Sequence, residues 1–242
     1  MVAHVRDRDK KIQSLEDHLV AVSKYAGQFA GKIGLKEIGE ILGLLHDVGK
    51  ASQEFQNYIL SGTGLILQNS PDWVDVKANK GKIDHSTAGA QIIYQKLSER
   101  GDKATATAMA MALCIASHHS GLIDSLKPNG ENNFQRRIEK QEEGSHADEA
   151  WANLANVAKK FGKLLSNDIE TQFIEKLNSL KLELESPDTI NFKRGLLVRY
   201  LLSCLIDADR LDTADFEFPS NERIRNYGNY TPWKTLIERL GS

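Results

Sequence analysis

The 242 residues are enough for one large domain or two small ones with a substantial buried core. Apolar residues make up 40% and charged residues 26%, an ordinary soluble composition; no apolar run approaches the ~20 residues that cross a bilayer, and the opening "MVAHVRDRDKK" lacks a signal-peptide core. A formal net charge of -2 makes bulk attraction to nucleic acid weak, so any such binding must come from a local patch or another domain.

Strong strand signals are scarce, whereas 3.6-residue apolar periods recur. Residues 14–31 read as a helix capped by Ser14, with His18, Val22, Tyr25 and Phe29 on one stripe. A second helix spans 36–50 and carries "EILGLLHDVGK", and a short turn leads into a third, "SQEFQNYIL". Residues 61–83 are loop-rich, with Gly, Pro and Asn as breakers. Helix resumes over 84–100 and again over 103–119, where "KATATAMAMALCIASHH" is apolar or small nearly all round and so predicts a central buried helix. Residues 120–146 are polar and read as a long surface excursion. Helical patterns return over 147–184, and "SPDTIN" makes a turn and N-cap before "FKRGLLVRYLLSCLIDADRLDT". Residues 216–242 are irregular. Cys114 and Cys204 each lie in an apolar helical run, which suits two buried thiols in a reducing cytoplasm. The expectation is one all-α domain with decorated loops.

The seven histidines are unevenly placed. His4 and His146 stand in polar surroundings and read as solvated surface. His18, His46, His85, His118 and His119 sit on or at the ends of predicted helices, beside apolar or small residues. Buried imidazoles need partners, and with carboxylates they are the usual ligands of divalent transition metals. His46 and Asp47 are neighbours, and on an ideal helix their side chains diverge by ~100°. At a helix end both can border one cleft, and the two oxygens of Asp47 allow it to bridge two ions. "ASHHSGL" repeats the arrangement, with Gly121 permitting a close turn. In "DHSTAGA", Asp84 can cap a helix while Ser86, Ala88 and Gly89 leave room around His85. In "CLIDADRLDT", Asp207 and Asp209 point ~200° apart, and Asp209 follows Leu201 and Leu205 at four-residue spacing. Asp212 and Asp215 read as surface or capping groups. There is no H-E-x-x-H, C-x-x-C pair or G-x-S-x-G, and Ala51 stands where a P-loop needs Ser or Thr. Residue types and spacing therefore lead to a hydrolase with one or two metals and name no substrate.

The ordered set His18, "HDVGK", "DHS" followed by "GA", "ASHHSGL" and "DADRLDT" resembles the HD superfamily of metal-dependent phosphohydrolases. More narrowly it is similar to the HD nuclease domain of the CRISPR-associated helicase-nuclease of type I systems. The resemblance spans roughly residues 14–215, within a domain expected over 1–215; residues 216–242 look like the lead into helicase domains. It implies a compact all-α HD domain with two metals. His18, His46, Asp47 and Asp209 would hold one ion, and Asp47 would bridge to a second held by His85, His118 and His119. Lys50 would contact a phosphate oxygen, and Asp47 and Lys50 would be the catalytic pair. The nitrogen-rich set suits Mn²⁺, Fe²⁺, Co²⁺, Ni²⁺ or Zn²⁺ better than Mg²⁺. The implied substrate is single-stranded DNA, fed by helicase domains in the same or a separate chain and directed by a crRNA-guided surveillance complex. Lys127, Arg136, Arg137 and Lys140 could flank the strand's entry, with Phe134 stacking a base. Two other readings share parts of this pattern: an HD phosphohydrolase acting on nucleotides, and a metal-stabilised docking module without catalysis.

Overall fold

A computed structural model describes residues 1–125, 127–181, 185–225 and 231–241. The helical pattern expected over 147–184 and the irregular tail over 216–242 run partly over residues 182–184, 226–230 and 242, which lie outside the described residues.

The chain begins with a two-stranded antiparallel hairpin that the periodicity reading missed. β1 (Val2–Val5) pairs with β2 (Ile12–Ser14), His4 standing opposite Gln13. The charged turn between them closes through Arg6 and Asp9, whose guanidinium and carboxylate meet at 2.6 Å. The remaining elements are helical: α1 (Leu15–Gly31), α2 (Lys36–Leu45), α3 (Gln53–Gly62), α4 (Val76–Asn79), α5 (Ser86–Ser98), α6 (Asp102–Ser117) and α7 (Asn133–Ile138). They continue with α8 (Glu142–Ser145), α9 (Ala147–Ala152), α10 (Ala155–Leu165), α11 (Ile169–Ser179), α12 (Pro187–Glu217) and α13 (Trp233–Leu240). Among the described residues the protein is all-α apart from the hairpin, and none of these helices is long and apolar enough to cross a membrane.

Three helix starts follow the capping chemistry of the sequence: Ser14, Ser52 and Ser186 each accept a backbone N–H from the first turn of α1, α3 and α12. α1 and α2 form an antiparallel pair pressed backbone to backbone. A Cβ on Gly39 would lie 2.3 Å from the Ala26 carbonyl oxygen, and one on Gly43 2.6 Å from Ser23 Cα, so no larger residue fits without moving a helix. This closeness brings His18 of α1 beside His46 at the end of α2. Leucines and isoleucines of α1, α2, α5, α6 and α12 fill the core around that contact. Cys114 and Cys204 are both free and buried in it, and burial pushes their thiols up to about 12 and about 11.

The second helix is shorter than the pattern over 36–50. It stops at Leu45; His46 caps it, and Asp47 leaves the helical conformation (φ -114°, ψ 18°) before a 3-10 turn at Val48–Ala51. The stretch 120–146 is also more built than a surface excursion. It contains α7 and α8, and the Gln91 amide donates to the carbonyls of Arg137, Ile138 and Lys140. Phe134 is buried against Tyr94, so its ring is not available to a base. α12 runs through 215 to Glu217 without a break, and its buried stripe Leu197, Leu201, Leu205 and Ala208 ends on Asp212.

Candidate metal centre

Helix ends converge on one point: the first turn of α1, the C-terminus of α2, the approach to α5 and the C-terminus of α6, with α12 passing alongside. They bring together all seven residues of the expected ligand set, in two groups that share Asp47. The inner group is His18, His46, Asp47 and Asp209, and the outer group is Asp47, His85, His118 and His119; within each, one ligand atom per residue lies within 4.8 Å of the others. Asp209 turns into this cluster, while Asp207 is exposed and lines a groove with Lys32 and Tyr200.

Asp47 divides its two oxygens between the groups. Its Oδ2 faces His18 Nε2 at 3.6 Å and His46 Nε2 at 3.3 Å, while its Oδ1 faces Nε2 of His118, His85 and His119 at 3.2, 3.5 and 3.8 Å. That division is possible because Asp47 has left the helix. A residue still on α2 would point one edge of its carboxylate along the helix flank.

The ring tautomers show what the cluster can bind. His46 Nδ1 lies 2.9 Å from the Gly43 carbonyl oxygen, and His118 Nδ1 2.6 Å from that of Ile115. A carbonyl only accepts, so both rings donate from Nδ1, which leaves Nε2 turned toward Asp47 as the atom that takes either a second proton or a metal. His18 Nδ1 meets the Asp212 carboxylate at 2.7 Å, with the same consequence. Nε2 of His18 and of His46 is buried without a hydrogen-bond partner. Lone pairs directed at carboxylate oxygens are repulsive unless a cation or a proton stands between them, and buried polar atoms left unmatched are costly. Nitrogen and carboxylate donors in this arrangement fit divalent transition metals.

The electrostatics differ between the groups. Burial opposes a charge on His46, but the carboxylates of Asp47 and Asp209 outweigh it and raise the ring to about 10. Burial works against the Asp47 carboxylate too, yet Lys50 and His46 hold it well below the usual carboxylate range. His85 and His119, with less carboxylate contact, are lowered by burial to about 3 and about 4. Lys50 is buried, and its Nζ lies 2.7 Å from Asp47 Oδ2. His85 is placed by close packing below it: a Cβ on Gly49 would stand 2.3 Å from the His85 carbonyl oxygen. Gly89, expected to leave room around the ring, instead lets α5 meet α2, since its Cβ would be 1.9 Å from the Leu45 oxygen. Asp84 does cap α5, accepting the Ser86 and Thr87 N–H groups at 3.1 Å.

Two residues read as surface groups belong to the site. His4 is not solvated surface: its ring packs edge-on against His18 with centroids 4.9 Å apart, and it borders a cleft of about 390 Å³ with Asp47, Lys50, His119 and Asp209. Asp212 is buried and accepts from both His18 and Gln13. The signals were present but faint. Asp212 extends an apolar stripe of α12, and "VAHV" opposite "IQS" is a strand pair too short to stand out.

Of the basic residues proposed to flank a strand, Arg136 is exposed, whereas Lys127 pairs with Glu131 at 2.8 Å. Arg137 donates to the hydroxyls of Ser86 and Thr87 at 3.0 and 3.2 Å, and Lys140 meets Asp84 at 3.0 Å. These two brace the turn that carries His85.

The family model described as Cas3, HD domain, matches residues 1–186. A search of curated proteins returns no match. The family match ends one residue before α12, so Asp209 and Asp212 reach the centre from beyond it.

Proposed function

This chain belongs to the family of Cas3 HD domains, CRISPR-associated metal-dependent nucleases, and on that premise we propose that it hydrolyses the phosphodiesters of single-stranded DNA with a water that two divalent ions would activate. The observation that carries the reading is Asp47, one buried carboxylate whose two oxygens face two different sets of imidazole nitrogens. The inner group would hold one ion and the outer group the other, with Asp47 common to both. Ions bound there supply the charge that acidifies a water and offsets the negative charge gathering on the phosphoryl oxygens.

The chain's own residues set the stage for that chemistry. Backbone carbonyls of α2 and α6 orient His46 and His118, so these rings need no reorganisation when charge develops. Lys50 borders the cleft beside Asp47, within reach of a phosphate oxygen placed there. His119 is half-exposed and opens the outer group to solvent and to a strand. No serine or cysteine nucleophile is called for. Arg136, exposed on α7, would guide the strand; Lys127 and Arg137, expected beside it, would have to leave Glu131 and the Ser86 and Thr87 hydroxyls to do so. A formal charge of -2 accords with a substrate that is delivered, by helicase domains and a crRNA-guided complex, rather than captured by strong intrinsic affinity.

The test is to load the protein in turn with Mn²⁺, Fe²⁺, Co²⁺, Ni²⁺ and Zn²⁺ and to follow single-stranded DNA, duplex DNA and mononucleotides. Cleavage of single-stranded DNA is expected to dominate. Faster turnover of mononucleotides would assign the site to nucleotide hydrolysis instead, and no turnover with any ion would overturn the enzymatic reading.

A further inference from the structure

Behind the ligands runs a partly buried chain of hydrogen bonds that ends on one of them. Asp212 Oδ2 lies 2.7 Å from His18 Nδ1 and 2.7 Å from Gln13 Nε2. Gln13 lies on β2 directly opposite His4 of β1, and the His4 ring meets the His18 ring at 79°. The hairpin therefore meets His18 directly, edge-on through His4, and indirectly, through Gln13 and the Asp212 carboxylate of α12. We propose that Asp212, held in place by Gln13, is a positioning residue that fixes His18 as the Nδ1–H tautomer and thereby keeps its Nε2 lone pair open to the inner ion. The tautomer stands on the hydrogen bonds alone; its consequence for metal binding rests on the two-ion reading.

The reason His18 needs such a residue while His46 and His118 do not lies in helix geometry. His46 and His118 stand at helix C-termini, where the last carbonyls lack intrahelical partners and can accept from a ring Nδ1 three residues on. His18 stands in the first turns of α1, where the nearby carbonyls are taken up by the helix. Left to itself, the ring would meet acceptors only at Nε2, where Asp209 Oδ1 lies at 3.5 Å and Asp47 Oδ2 at 3.6 Å. A neutral imidazole in that setting places its proton on Nε2 and blocks the atom a metal requires. Asp212 is closer than either carboxylate and draws the proton to the far side.

The experiment labels histidine with ¹⁵N and reads tautomers from long-range ¹H–¹⁵N correlations in the metal-free protein. Calorimetric Mn²⁺ titration of the same samples reads both ions. Wild type is expected to show His18 as Nδ1–H. Asp212→Ala should move it to Nε2–H and weaken the inner ion by about 10–100-fold, leaving the outer ion unchanged. Asp212→Asn keeps an oxygen acceptor and should retain the wild-type tautomer and most of the affinity. Gln13→Leu, which leaves Asp212 in place but unsupported, should shift both readouts the same way by less, and it stands in if Asp212→Ala does not fold. The proposal is overturned if His18 keeps Nδ1–H in Asp212→Ala, if neither readout moves in its Gln13→Leu stand-in, or if Ala and Asn behave alike. Should wild type bind no ion at the inner group, the two-ion reading fails while the tautomer comparison still decides the role of Asp212.

Discussion

The inner and outer halves of the metal centre share one carboxylate and almost nothing else. His18 and His46 of the inner half have no exposed surface, and the inner half alone brings a second carboxylate, Asp209. In the outer half the His119 side chain is 50% exposed, and His85 and His119 face each other, Nε2 to Nε2, at 2.6 Å. The inner half is thus a buried pocket carrying two carboxylates, whereas the outer half, with His118 also buried, opens to solvent through His119. Coulomb attraction strengthens as water is excluded, so the inner half should bind its ion more tightly and exchange it more slowly.

Asp47→Ala removes what the halves share and should have the largest effect. Both ions are expected to weaken by more than about 100-fold, beyond the loss typical of outer-shell partners, and cleavage should fall to background. Calorimetry that still finds two sites would refute the bridging role. His46→Ala and His119→Ala separate the halves. Each should cost its own ion on the order of 100-fold and the other ion little, which metal titrations of the two variants can compare directly. Equal losses at both ions in both variants would mean the halves are one cooperative site.

Gly49→Ala acts on the packing instead. Its Cβ would press on the His85 backbone, pushing α5 away from the Val48–Ala51 turn. Overpacking of this kind costs about 1–3 kcal/mol, so the thermal midpoint should drop, and the outer ion should weaken more than the inner.

The smallest effect is on stability against pH in the metal-free protein, and the halves should act in opposite directions. His85 and His119 fall from 6.5 to about 3 and about 4 on folding, so between those values and 6.5 the unfolded chain binds more protons. Their contribution therefore declines as pH falls through that window. His46 rises from 6.5 to about 10, so its contribution is complete below 6.5 and is lost as pH rises through 10. Urea midpoints measured against pH with a chelator present should show His85→Ala flattening the acid limb and His46→Ala the alkaline one. A single limb affected by both would contradict the contrast.

Much of the site was legible in the chain because its ligands sit where helices begin and end. "HDVGK", "DHS" and "ASHHSGL" each set a histidine beside a helix boundary, and boundaries leave a trace in residue type. Asp209 could be favoured over Asp207 by its spacing from Leu201 and Leu205, and the structure turns it inward. What escaped was everything set by pairing across long separations. His18 and Asp212 are 194 residues apart, and nothing local in "DADRLDT" distinguishes a carboxylate that orients a ring from one that meets solvent. His4 was lost for a related reason: it stands on the short strand β1, whose Val2 N–H and carbonyl are both held by Gln56, 54 residues away.

By itself, then, the sequence determined the helices, their caps, the apolar stripes and the set of imidazoles and carboxylates that chemistry would require. These are local properties, carried by period and by residue type. The tertiary structure decided that α2 stops at Leu45 so that Asp47 can face two ways, and that Gly39 and Gly43 bring α1 and α2 into contact. It also decided which ring nitrogen each ligand offers. Those outcomes depend on what packs against each residue from distant parts of the chain, where free carbonyls, carboxylates and missing side chains settle the position of a proton.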